Sequence, residues 1–265
     1  MLLDDIYSSN PFPQAVLSKF MENGLYLIMV AFFLYFGVTY LNKWRNKENF
    51  EVKRKLNLGY FFFFIALGIG VGIFTIDRIW QFLNNGNRLL LTAGYSAINR
   101  DYILFTLIGL DAGFVFLTYV VEKYILSRKV VLSWVCLAGL VLAIILRPLE
   151  NYLVLSGNGD IAGYIGYLLY VVMALVLILL FVIYGKIAGS APRGSDLANR
   201  SIAVIIGLLI IIAMLLGISN VFSDIGWNQG LAVLEEEFFF GVHMIGPGAT
   251  IIGIFILNYG FSEKK

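Results

Sequence analysis

The stretch LNLGYFFFFIALGIGVGIFTI, Leu56 to Ile76, contains no Asp, Glu, Lys or Arg and is bracketed by Lys53-Arg54-Lys55 on one side and Asp77-Arg78 on the other. At 1.5 Å per residue, a helix over this run is about 30 Å long, the thickness of the hydrocarbon core of a bilayer. It is apolar all round, so it offers no face to water. Six further runs of this kind, bounded by charge, Pro or Gly, lie at approximately Gly24 to Leu41, Tyr102 to Val121, Val130 to Leu146, Ile161 to Tyr184, Ile202 to Phe222 and Phe238 to Phe261. The run ending at Leu146 is the shortest. It counts as a span because Arg147 and Pro148, which follow it, can sit at the interface. The fold class expected is all-α, a polytopic membrane protein built as a seven-transmembrane helix bundle.

Composition agrees with that reading. Of the 265 residues, 60% are apolar and 14% charged, and the mean hydropathy is +0.85. A soluble domain of this size has no way to cover so much apolar surface, so the lipid bilayer is its first expected partner. The net charge of +2 is dispersed in short clusters, which leaves no footprint for nucleic acid. The only cysteine, Cys136, lies in an apolar run and is read as a small buried hydrophobe, with no disulfide and no metal-type spacing.

Orientation follows from lysine and arginine, which are enriched in cytoplasmic loops. Lys43, Arg45, Lys47, Lys53, Arg54 and Lys55 share one side with Lys123, Arg128, Lys129, Lys186, Arg193, Arg200, Lys264 and Lys265. Only Lys19, Arg78, Arg88, Arg100 and Arg147, of 19 basic residues, fall on the other. The N-terminus is therefore expected outside and the C-terminus in the cytoplasm, in the plasma membrane. The first 22 residues lack the basic region and cleavage site of a signal peptide, and residues 1–23 are expected to form an outer segment, with a short interfacial helix from Gln14 to Glu22 after Pro13. Residues 24–261 form the transmembrane domain and 262–265 a cytoplasmic tail. The loops are short, so no soluble catalytic domain is expected.

Asp111, in Leu107-Ile-Gly-Leu-Asp-Ala-Gly-Phe114, falls near mid-bilayer in the third span. A carboxylate at that depth costs a few kcal/mol unless it is protonated, paired or facing water, which makes it a functional candidate, with bundle glue as the plainer reading. Asp77, Arg78 and Trp80 follow the second span, Arg147 and Glu150 the fourth, and Glu235 to Glu237 precede the seventh. If the helices form a ring, these groups and the nearby Tyr95, Tyr152, Tyr164, Tyr167 and Trp227 line an outward vestibule above Asp111, suited to a small polar or zwitterionic ligand. An ordinary interfacial belt is the alternative. In Gly241-Val-His-Met-Ile-Gly-Pro-Gly248 the only histidine, His243, precedes Gly246, Pro247 and Gly248, a sequence expected to kink or unwind the helix and serve as a hinge. Gly68, Gly70 and Gly72, and Gly163 with Gly166, are read as close helix contacts. The sequence holds no HExxH and no GxSxG. Neither an enzyme, nor a cofactor, nor a metal site is expected.

The turn Gly189-Ser-Ala-Pro-Arg-Gly-Ser-Asp-Leu-Ala-Asn-Arg200, between the fifth and sixth spans, resembles the small-residue turn with a following arginine in the standalone seven-helix sensor modules of bacteria and archaea. The resemblance implies a receptor-like protein that signals to a separate cytoplasmic partner, since no output domain follows Phe261. Other seven-helix families fit less well. No lysine lies between Phe238 and Phe261 to hold retinal, and Glu122-Lys123-Tyr124 puts lysine where rhodopsin-like receptors carry arginine. SWEET-type sugar transporters share the layout but place proline hinges in both halves, whereas here only Pro247 is internal to a span. The expectation is a receptor with Asp111, Arg147, Asp77, Arg78, His243 and Trp80 in its ligand pocket, with a solute transporter or a non-catalytic assembly subunit as alternatives. Signal would pass through the Gly246–Gly248 bend to the basic loop Lys43 to Lys55.

Overall fold

A computed structural model describes residues 12–48, 50–85, 97–126, 130–218 and 242–262. Among them there is no strand, and seven α-helices account for nearly all of these described residues. They are α1 (Phe12–Arg45), α2 (Glu51–Asn85), α3 (Ala97–Val120), α4 (Val131–Leu155), α5 (Gly159–Ser190), α6 (Asp196–Ile218) and α7 (Val242–Phe261). Within the described residues, Phe20–Arg45, Glu51–Asp77 and Val131–Glu150 are long and apolar enough to cross a bilayer. Ala174–Ser190 and Gly246–Phe261 are shorter apolar stretches.

Two expectations change. Residues 14–22 form no separate interfacial helix, because α1 runs unbroken from Phe12, with Pro13 in a first turn where its missing N–H costs nothing. Nor does Gly246-Pro-Gly248 unwind α7, which is helical throughout from Val242 to Phe261. Pro247 forfeits one main-chain bond, and the helix continues past it. The Thr250 hydroxyl, four residues on, donates to the Gly246 carbonyl (2.9 Å).

Each helix packs on its successor, and α7 closes the circle against α1. Gly-based turns set two of the reversals. Gly157 (φ +84°) ends α4, with the Asn158 N–H returning to the Leu153 carbonyl (2.8 Å). Gly194 (φ +74°) closes a turn in which Ser195 N–H bonds the Pro192 carbonyl (3.0 Å), and the Ser195 hydroxyl then accepts the Ala198 N–H to cap α6.

Buried residues of all seven helices form the core, and its largest aromatic cluster lies between α1, α2, α3 and α7. The Tyr40 ring stacks on Phe64 (centroids 5.7 Å apart) and Tyr60 stacks on Phe261 (4.1 Å), with Phe33, Phe63 and Phe114 fully buried around them. The Tyr40 hydroxyl donates to Asn258 Oδ1 (3.0 Å), which ties α1 to α7 inside this cluster. The buried Thr75 and Thr118 hydroxyls donate to main-chain carbonyls four residues back (2.7 Å each). The basic ends of the helices gather on one side. There the Arg54 guanidinium donates to the Trp44 carbonyl (3.0 Å), and Arg200 bonds both Asp196 (2.6 Å) and the Ser262 hydroxyl (3.4 Å).

Candidate functional sites at the two ends of the bundle

Close helix contacts fix the depth of each candidate residue. On the α2–α3 face, Gly113 abuts Phe63 and Gly109 abuts the turn from Ala66 to Gly70, so Asp111 lies level with Ala66, midway along the Leu56 to Ile76 run. On the α3–α4 face, the Thr118 hydroxyl points to Cys136 Sγ (3.5 Å) and Glu122 meets Ser133. That register sets Asp111 beside the buried Ala143 and places the backbone of Arg147 one turn further from the basic side. Asp111 is half-buried.

Asp77 belongs to a different level. It lies about 16 Å further along α2 than the residue level with Asp111, at 1.5 Å per residue. Gly72 faces Val30 on α1 and Phe74 meets the Tyr26 ring edge-on (5.5 Å), so Asp77 is level with Gly24 and Leu25. Here the structure assembles a polar tier that sequence reading had not: Glu22 (2% exposed), Asn23 and Asp77 (7%) are all buried. Along the α1–α7 contact, where Phe36 meets Phe255 (5.4 Å) and Tyr40 meets Asn258, the same offset sets the backbone of His243 at this level too. Trp80, by contrast, is 67% exposed. The side chains of Arg78, Arg147 and His243, and all of residues 86–96 and 219–241 with Tyr95, Trp227 and Glu235 to Glu237, lie outside the described residues. The single pocket expected for Asp77 and Asp111 is thus resolved into two tiers, since the helical rise keeps the two carboxylates apart.

No family model, curated protein or solved structure matches the chain. Its function has to be read from the arrangement itself.

The basic end holds a feature with no forerunner in the sequence reading. After Val120, α3 widens into a π-helical turn, Val121–Ile125, which tucks Glu122 inward. The buried carboxylate accepts the main-chain N–H groups of Leu132 (2.7 Å) and Ser133 (2.8 Å) and the Ser133 hydroxyl (2.8 Å). Glu122 therefore caps α4 from a neighbouring helix, satisfying N–H groups that have no partner within α4 and placing negative charge at the positive end of its dipole. A glutamate nine residues before the capped helix carries no sequence signature, unlike a local Ser or Asp cap. Beside this turn an apolar groove of about 550 Å³ opens between α2, α3 and α4. Its walls include Gly59, Phe62, Val115 and Leu137, with Lys55, Tyr124 and Trp134 along its margin. No group of three or more His, Cys, Asp or Glu suited to a metal occurs among the described residues.

Proposed function

We propose that the chain is a seven-helix membrane protein, N-terminus outside and C-terminus cytoplasmic, that binds a small polar or zwitterionic ligand from the outer side and acts as a receptor toward a separate cytoplasmic protein. The observation that carries this reading is the register of α3 on α4, which puts Asp111 at mid-span with Arg147 one turn outward of it. An acid at that depth is a functional-site candidate, and a zwitterion carries groups complementary to both residues. The buried tier of Glu22, Asn23 and Asp77, level with the backbone of His243, lies between Asp111 and the end of the bundle away from the basic loops, which supports an approach from that end. Ligand binding would shift the helices between two packings, and the basic ends of α1 and α2 would present the change to the cytoplasm.

The test is a panel of small zwitterions, amino acids first, scored by thermal stabilisation of the protein in nanodiscs. A ligand at one hundred times its Kd adds about 2.7 kcal/mol to the folded state. The expected result is a stabilising ligand whose effect disappears in Asp111→Asn and Arg147→Gln while both variants still melt cooperatively. Full stabilisation of Asp111→Asn would remove Asp111 from the site. Net uptake of the same ligand into proteoliposomes would replace the receptor by a transporter.

A further inference from the structure

The groove between α2, α3 and α4 runs from the basic end of the bundle to Val115, one turn short of Asp111, and plays no part in the receptor reading. Its lining is almost wholly apolar, and it opens on the outside of the helix ring, where Phe62, Tyr119 and Trp134 are exposed. Since α2 and α4 are two of the helices long and apolar enough to cross a bilayer, the medium against this opening is lipid.

We propose that this groove is a binding site for the acyl chain of an anionic phospholipid, with the lipid phosphate held at Lys55. Three observations support that occupant over a neutral lipid or a protein helix. First, the polarity of the groove is graded along its length: Val115 and Leu137 lie toward the membrane interior, whereas Lys55 and Tyr124 stand at the basic end, as a chain and a headgroup require. Second, the ammonium of Lys55 stands 5.9 Å from the centre of the Tyr124 ring and also pairs with Glu51, an exposed i,i+4 partner of little energetic worth that a phosphate readily displaces. Lys53, Arg54 and Lys123 add positive charge around the same end, so the headgroup meets a basic surface despite Glu51. Third, the groove is built into the fold. Gly59 lets α2 and α3 approach so closely that a Cβ there would overlap Val120, while the π-turn and the Glu122 cap hold the start of α4, with Ser133 and Trp134, away from that contact as the facing wall.

The proposal rests on α2 and α4 crossing the membrane and not on any outer ligand, so its failure would leave the receptor reading untouched. The experiment uses the full chain in nanodiscs containing brominated phosphatidylglycerol or brominated phosphatidylcholine, and reads quenching of Trp134 by difference against Trp134→Phe. Half-maximal quenching is expected at about fivefold lower mole fraction of the anionic lipid, the preference one lysine near the surface confers. Lys55→Gln should abolish that preference, and Val115→Phe, which fills the groove, should reduce quenching by both lipids. Leu137→Phe serves the same purpose if Val115→Phe does not fold. Equal quenching by the two lipids, or an unchanged preference in Lys55→Gln, would overturn the proposal. So would loss of quenching on raising the protein-to-lipid ratio, because that would mean a second copy of the chain covers the groove.

Discussion

Two parts of the ring are equally apolar in sequence and packed in opposite ways. Where α6 meets α7, and where α2 meets α3, glycines bring main chain against main chain: a Cβ on Gly207 would lie 2.8 Å from the Leu257 nitrogen and 2.9 Å from the Gly253 carbonyl, and one on Gly109 would lie 2.7 Å from the Ala66 carbonyl. On α5, by contrast, a Cβ on Gly163, Gly185 or Gly189 would meet nothing within 4 Å among the described residues. The α4 and α5 surface is aliphatic and outward-facing, with Val141, Ile145, Leu175 and Ile178 exposed. In lipid, burying an aliphatic side chain against another helix gains little over leaving it in the membrane, so association depends on close van der Waals approach. Hydropathy therefore does not distinguish a helix that belongs to the packed core from one that faces lipid.

The largest expected effect breaks the tight contact. Gly207→Leu has to push α7 off α6 against main-chain atoms that have no rotamer to yield, and it should cost about 3 kcal/mol or more. A thermal melt in detergent will show either a collapse of the transition or, if the helices re-pack freely, almost no change, and the second result would dissolve the distinction between the two regions. A middle effect sits where they join. Glu122→Ala strips the cap from α4 and leaves the N–H groups of Leu132 and Ser133 buried without an acceptor, a loss of about 2 kcal/mol. Glu122→Gln, which keeps one acceptor oxygen but loses the charge, should recover roughly half of it, and equal melting of the two variants would reduce the role of Glu122 to packing. The smallest effect has the opposite sign. Gly185→Ala on the open face should stabilise by about 0.5 to 1 kcal/mol, because it removes backbone freedom from the unfolded chain without meeting a neighbour. Destabilisation there would mean that α5 has a close partner after all.

The helices were legible because each apolar run is long and interrupted by charge or by Gly and Pro, and every helix found overlaps one such run. The ends were less so. The run expected to finish at Leu146 continues as helix through Pro148 to Leu155, since a proline forfeits one main-chain bond and the turns beyond it close independently. Glycine was only partly readable. Gly68 does lie against Leu34 and Phe33 on α1, and Gly70 against Gly109, whereas Gly163, given the same reading, faces open space. A glycine signals that something can approach and leaves open whether anything does. Asp111 and Asp77 stood out as acids in an apolar sequence, yet Glu22 and Asn23, directly before an apolar run, read as the edge of an outer segment until α1 packed beside α2.

The amino-acid sequence alone determined that this chain is helical, with helices apolar enough to cross a membrane, because hydrogen bonding within a helix and transfer of side chains out of water are local properties of each segment. Which residues share a depth, which helix faces close, and that Glu122 caps a helix other than its own were decided by the tertiary structure. Those facts depend on the register between segments that contact across the bundle, and no single segment contains that information.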